Sequence, residues 1–281
     1  QESRGLGDVY KRQVLATNYS AYTLEITPSR AGVLDETIDA LSKVVDIQAR
    51  DRRRFKRLME ESRNFESLPI RTRLTDQEVA RFTAQRYRFP GVDIKARLFR
   101  NYPLGDVASH AIGYIGRINQ TEKARIQDSE DEANYRGTEY IGKLGIEHSF
   151  ESALHGATGV EQMETSAGGR AVRKLSSHAA TPGDSVMLSI DIKLQKLIEE
   201  LYGTRRGALV AIDPRNGEIL ALVSKPTFDP NLFVEGIDAE NWAALNESID
   251  KPLLNRALRG TYPPGSTYKP FMALALSLIH I

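Results

Sequence analysis

From Val14 onward, apolar and polar positions fall into periods that predict elements. Tyr22, Leu24 and Ile26 alternate with polar neighbours over Tyr22-Thr-Leu-Glu-Ile-Thr27, the period-2 pattern of a strand, and Pro28 ends it. Between Asp35 and Val45 the period lengthens, with Ile38, Leu41, Val44 and Val45 at helical spacing. The basic run at residues 50–57 reads as a solvated helix surface, where Glu60 and Glu61 lie one turn beyond Lys56 and Arg57 and can pair with them. Leu68 to Leu74 is extended. Thr75 with Glu78 three residues later forms a capping box, so a helix starts there and runs to about Gln85. Pro90-Gly91 makes a turn, Val92 to Tyr102 a strand, Ala108 to Ile112 a short helix, and Gly113 to Ile118 a strand or loop.

The remainder is richer in glycine and polar residues. Residues 121–135 are a charged surface segment. Glycines gather at Gly137, Gly142, Gly145, Gly156 and Gly159, and 160–190 reads as β-rich with turns at Gly168-Gly169 and Pro182-Gly183. Asp191 caps a helix over Ile192–Tyr202 whose buried face is predicted to hold Leu194, Leu197, Ile198 and Leu201. Gly207 to Ile212 and Glu218 to Val223 flank Asp213-Pro-Arg-Asn-Gly217, two apolar runs around a Pro and an Asn-Gly, which predicts a hairpin. Their near-continuous apolar character predicts central strands buried on both faces. Phe271 to Leu276 reads as a buried helix. The expected fold class is α+β.

The chain of 281 residues is long enough for about two domains. With 41% hydrophobic and 27% charged residues it has a globular composition. A net charge of +1 argues against a dedicated nucleic-acid binder. No stretch approaches about 18 consecutive apolar residues, so none of these residues forms a transmembrane helix. Cysteine is absent, which excludes disulfides and thiolate zinc sites.

Three patterns bear on chemistry. Gly137-Thr-Glu-Tyr-Ile-Gly142-Lys143-Leu144 comes close to a phosphate-cradling P-loop. It fails at Leu144, where a hydroxyl must reach Mg²⁺, and no buried strand leads into it, so the glycines are read as turn residues. His110, His148, His155, His178 and His280 show no metal-ligand spacing, and no metal or cofactor is expected. Ser-x-x-Lys occurs twice. In Ser248-Ile-Asp-Lys251 the following Pro252 disfavours helical geometry at Lys251, which makes a loop of it.

Ser266-Thr-Tyr-Lys269 has the opposite setting. Pro263-Pro264-Gly265 turns the chain just before it, and Pro270 is tolerable within a first helical turn, so Ser266 stands at a helix N-terminus with Lys269 at i+3. A serine hydroxyl becomes a nucleophile when a base takes its proton. A lysine serves as that base when burial on an apolar helix and the positive helix N-terminus disfavour its ammonium form. The alternative on pattern alone is a capping serine with a surface lysine.

The surrounding text carries a family resemblance. Arg256-Ala-Leu-Arg-Gly-Thr-Tyr262-Pro-Pro-Gly-Ser266-Thr-Tyr-Lys269-Pro resembles the active-site start of the penicillin-binding transpeptidases. Asp213 to Glu218 with Pro226-Thr-Phe-Asp-Pro-Asn231 is similar to that family's hairpin and following loop. Gly142-Lys-Leu-Gly145-Ile-Glu147 with Leu154-His-Gly156, and Arg100-Asn-Tyr-Pro103 with His110-Ala-Ile-Gly-Tyr-Ile-Gly116, are similar to its glycine-rich pedestal motifs. The resemblance spans about residues 14–276 and points to the class B, elongation-type members.

It implies an elongated mixed α/β pedestal over 14–182, then the N-terminal part of a β-lactamase-like transpeptidase domain over 183–276. It implies Ser266 as acyl-ester nucleophile and Lys269 as general base in cross-linking D-Ala-D-Ala stem peptides. The implied partners are peptidoglycan stem peptides on glycan from lipid-linked precursors, β-lactams and membrane proteins of the elongation machinery. The implied place is the periplasmic face of the inner membrane. The later Ser-x-Asn and Lys-Thr-Gly motifs do not occur after Ser266, and the expected membrane anchor is not among these residues. Residues 1–13 and 277–281 are expected to be artefacts at the ends of a fragment, which would itself be inactive. Two other readings stay open: a non-catalytic pedestal that binds elongation partners, and a β-lactam-hydrolysing or sensor relative.

Overall fold

The computed structural model of the protein describes residues 13–61, 66–165 and 171–280. They form two units, one of residues 18–101 and one of residues 102–280 with 13–17.

In the first unit, β1 (Thr17–Ile26) is the middle strand of a sheet ordered β2-β1-β3, with β2 at Leu68–Leu74 and β3 at Val92–Asn101. β1 runs antiparallel to β2, with Tyr22 opposite Leu74 and Ile26 opposite Leu68. Period-2 alternation sends Leu24 and Ile26 into the core. There they meet Ile38 and Leu41 of α1 (Leu34–Leu41), Phe55 of α2 (Ala49–Glu61), and Phe82 of α3 (Asp76–Gln85). Phe82 stacks on Phe89 at 6.0 Å. α1 ends at Leu41, earlier than predicted, but the turn after it still buries Val44 and Val45. The basic run lies on α2 as expected. Arg52 bonds Asp39 and Arg54 lies 3.6 Å from Asp51.

The predicted capping box opens α3. The Thr75 hydroxyl accepts the Glu78 N–H at 3.3 Å, and the Glu78 carboxylate accepts the Thr75 N–H at 2.8 Å. Glu78 also accepts the Asp46 N–H at 3.2 Å. Burial pushes its carboxyl up, but these donors and the Arg71 charge hold it below the ordinary value.

The second unit opens with α4 (Ser109–Ile112) and a small antiparallel sheet of β4 (Ile115–Arg117) and β5 (Tyr140–Gly142). The charged segment between them folds into α5 (Gln120–Gln127) and α6 (Glu132–Tyr135). α7 (Gly145–Ser149) and α8 (Glu151–His155) follow β5. Backbones cross so closely here that side chains cannot fit. A Cβ on Gly113 would lie 1.8 Å from the Leu144 carbonyl oxygen, and one on Gly142 would lie 2.1 Å from that of Glu147. This close approach accounts for Gly142 of the P-loop-like stretch, while Gly137 has open space around it and takes φ +88°.

β6 (Val160–Thr165) and β7 (Ala171–His178) pair antiparallel. The predicted Gly168-Gly169 turn lies outside the described residues. β structure stops at His178 apart from one Ala157–Thr181 bridge, so the β-rich reading of 160–190 holds only in its first part. α9 (Ile192–Tyr202) is capped as predicted, Asp191 accepting from Lys193 and Leu194 N–H. β8 (Gly207–Ile212) and β9 (Ile219–Lys225) form the predicted hairpin, and Asp213 N–H bonds the Glu218 carbonyl across its mouth. α10 (Asn231–Val234), α11 (Ala239–Asn246), α12 (Arg256–Arg259) and α13 (Lys269–His280) complete the unit.

Three burial predictions fail in this unit. α9 turns Ile192, Gln195 and Glu199 inward, while Leu197 and Leu201 are 52% and 64% exposed, because specific polar bonds outweigh apolar periodicity there. The hairpin is a two-stranded sheet among the described residues. Ala221 and Val223 are buried, but Val210 and Ile212 are exposed. α13 is exposed throughout, Phe271, Leu274 and Leu278 included. No helix of the described residues is long and apolar enough to cross a membrane.

Candidate active site

Ser266 lies in a single 3₁₀ turn, Gly265–Tyr268, which runs directly into α13 at Lys269. Gly265 takes φ +56°, and the Lys269 N–H bonds the Ser266 carbonyl oxygen. The Thr267 hydroxyl bonds the Pro264 carbonyl oxygen. Pro270 is the second residue of α13, where it costs no intrahelical hydrogen bond. The predicted placement of Ser266 and Lys269 one turn apart at a helix start is therefore present. Both residues are exposed, and the burial expected around Lys269 is not supplied by the described residues. The second pair separates as its proline predicts: Lys251 has φ +43° and its N–H closes a turn on the Ser248 carbonyl oxygen.

The segment leading into Ser266 is anchored by polar groups that periodicity does not reveal. Arg256 is 8% exposed. Its guanidinium donates to the carbonyl oxygens of Lys251 at 3.0 Å and Asp250 at 2.5 Å. Its backbone N–H goes to the Ser224 hydroxyl of β9 at 2.9 Å, and that hydroxyl donates to the Leu254 carbonyl oxygen at 3.1 Å. Asn255 caps α12 and donates from Nδ2 to the His110 carbonyl oxygen at 3.2 Å. A cleft of about 440 Å³ opens beside α12, with Tyr202, Val210, Arg256, Gly260 and Tyr262 in its walls.

Two side-chain amides act as short strand mimics. Gln195 of α9 exchanges both hydrogen bonds with the Leu222 peptide of β9, each at 2.9 Å. Asn231 of α10 does the same with the Tyr102 peptide, at 3.0 and 2.9 Å. The buried Tyr102 hydroxyl donates to Glu147 at 3.1 Å and accepts the Ile115 N–H at 3.0 Å. Glu199 accepts the Ala108 N–H at 3.0 Å and the Gln195 Nε2 at 2.7 Å, both on Oε1. Burial pushes the Glu199 carboxyl above the ordinary range despite these donors.

His110 packs edge-on against Phe228 at 5.1 Å, and burial holds its imidazole below the usual histidine value. His155 stacks on Tyr135 at 4.3 Å. Among the described residues, no three His, Cys, Asp or Glu side chains are grouped to hold a metal ion.

Residues 6–188 match the penicillin-binding protein dimerisation domain, and 207–277 match the penicillin-binding protein transpeptidase domain. The chain belongs to the penicillin-binding protein family. It is 43% identical over 275 residues to the peptidoglycan D,D-transpeptidase MrdA of Escherichia coli (strain K12), covering 97% of this chain and 43% of that protein. Penicillin-binding protein PBP2 of Helicobacter pylori, solved in complex with MreC, superposes with a TM-score of 0.72 at 25% identity, over 96% of this chain and 49% of that one. PBP2 of Pseudomonas aeruginosa is 46% identical with a TM-score of 0.53, over 64% of this chain and 35% of that one. The α+β fold, a dimerisation domain followed by the start of a transpeptidase domain, agrees with these relatives. The chain spans less than half the length of the curated relatives it matches.

Proposed function

We propose that this chain supplies the pedestal and the nucleophile-bearing part of a peptidoglycan D,D-transpeptidase. The observation that carries this is Ser266 and Lys269 at the 3₁₀-to-α junction inside the stretch that matches the transpeptidase domain. Lys269, as a neutral amine, takes the proton of the Ser266 hydroxyl. The Ser266 Oγ then bonds the carbonyl carbon of the penultimate D-Ala, the D-Ala–D-Ala amide bond breaks, and the leaving amine takes a proton. An amine of a second stem peptide attacks the ester, forming the cross-link and restoring the serine hydroxyl. β-Lactams acylate the same oxygen by opening their ring amide.

The division into a pedestal over 14–182 and a transpeptidase start over 183–276 belongs to this proposal. The family matches support it, although the two compact units divide at 101/102 instead. The periplasmic face of the inner membrane is the place such chemistry requires, and elongation-machinery membrane proteins are the proposed partners. The relative solved with MreC favours a binding role for the pedestal alongside catalysis.

Fluorescent penicillin tests the reading. The full-length protein carrying this sequence is expected to be labelled, and its Ser266→Ala variant is not. Residues 1–281 alone are expected to stay unlabelled, because the described residues leave Ser266, Lys269 and the rest of α13 exposed. Absence of label on the full-length protein would overturn the transpeptidase reading.

A further inference from the structure

Ten residues before the proposed nucleophile stands a buried arginine with no carboxylate partner among the described residues. Arg256 is 8% exposed, and its guanidinium is spent on two backbone carbonyl oxygens, those of Asp250 and Lys251. A buried cation is costly unless it is satisfied, and the planar, multi-donor fork of arginine reaches both carbonyls from separate nitrogens. The turn that offers those carbonyls holds Lys251 at φ +43°, a conformation uncommon for a residue with a Cβ.

The other end of Arg256 is held as firmly. Its N–H bonds the Ser224 hydroxyl, which ties α12 to β9, and Asn255 beside it bonds the His110 carbonyl oxygen. Beyond Arg256 the chain closes on itself. The Gly260 N–H returns to the Arg256 carbonyl oxygen at 3.1 Å, and a Cβ on Gly260 would lie 2.4 Å from that oxygen and 2.6 Å from the Tyr262 ring. The chain therefore leaves this anchor in a set direction, towards Pro263-Pro264-Gly265 and Ser266.

We propose that Arg256 is a positioning residue for Ser266, bolting the 250–251 turn and strand β9 to the segment that delivers the nucleophile. The proposal rests on the transpeptidase reading above. Arg256 acts on the geometry of the serine and touches no substrate.

The test is the acylation of the full-length protein by a fluorescent penicillin, separated into the acylation rate constant and the dissociation constant of the initial complex. Arg256→Ala is expected to lower the rate constant about 10- to 100-fold, as a misplaced reacting group does, with little change in initial binding. Arg256→Lys recovers only part, because an ammonium does not reproduce the fork. Ser224→Ala removes the second anchor alone, and a smaller loss of about 3- to 10-fold is expected. It carries the test if Arg256→Ala does not fold. Phe82→Ala, in the core of the other unit, serves as the stability control and keeps the wild-type rate. Wild-type rates in the folded Arg256→Ala or Ser224→Ala variant would overturn the proposal, as would an equal loss in Phe82→Ala. If the wild type is not acylated, or Ser266→Ala still is, the transpeptidase reading fails first.

Discussion

Glu25 in the first unit and Glu199 in the second are both buried carboxylates, and their surroundings push them opposite ways. Glu25, fully buried, receives the Ser67 hydroxyl at 2.6 Å, Arg97 Nε at 2.5 Å and Lys95 Nζ at 3.0 Å. Burial pushes its carboxyl up, but these donors, two of them cations, bring it below the ordinary 4.5. Glu199 receives only neutral donors, the Ala108 amide and the Gln195 side chain, so burial prevails and its carboxyl is raised. Composition explains part of the contrast. Residues 18–101 carry 17 Lys and Arg against 12 Asp and Glu, while the remaining residues carry 21 against 25. The near-neutral total conceals a basic unit that can supply counter-charges to its own interior.

The comparison can be broken at several points. Phe82→Ala should have the largest effect on stability. It empties a fully buried ring site in the first unit and should cost about 3–5 kcal/mol, read by chemical denaturation. Glu25→Gln comes next. It leaves Lys95 and Arg97 without their shared anion, and because both cations are partly exposed the expected cost at neutral pH is about 1–3 kcal/mol.

The pH dependence sharpens the contrast. A carboxyl with a lowered folded pKa contributes stability that is present above 4.5 and lost as pH falls through its folded value. Glu25→Gln should therefore flatten the acid loss of the first unit. A raised carboxyl has the reverse sign. Glu199 contributes stability present below 4.5 that is lost as pH rises through its folded value.

Glu199→Gln should have the smallest effect, within about 1 kcal/mol. Both donors share Oε1, so an amide oxygen placed there keeps both bonds. Once the intrinsic base-catalysed exchange is divided out, the loss of Ala108 and Leu222 amide protection expected with increasing pH should disappear in this variant. A large, pH-independent loss would show that Glu199 is held as a needed anion, and the contrast between the two glutamates would fail.

Where a feature depends on neighbours in sequence, the sequence predicts it. The Thr75–Glu78 capping box, the Asp191 cap and the Asp213–Gly217 turn each form within a few residues. So does the separation of Ser248 from Lys251, because the following proline acts on the adjacent backbone. Periodicity misplaces the inward face of α9 for the opposite reason. Gln195 and Glu199 are turned inward by Leu222 and Ala108, far away in the chain, and no 3.6-residue period encodes those partners. The burial of Arg256 likewise has no local signal, since the 250–251 turn that folds around it supplies its acceptors.

The sequence by itself determined the capped starts of α3 and α9, the hairpin turn, the placement of Ser266 and Lys269 at a helix start, and the family, since these follow from short-range sterics, capping and motif text. Only the tertiary structure decided which polar side chains go inside, why Gly113 and Gly142 must lack a Cβ, and how the segment before Ser266 is anchored. Those outcomes depend on hydrogen-bond partners from distant segments, and folding alone brings them within reach.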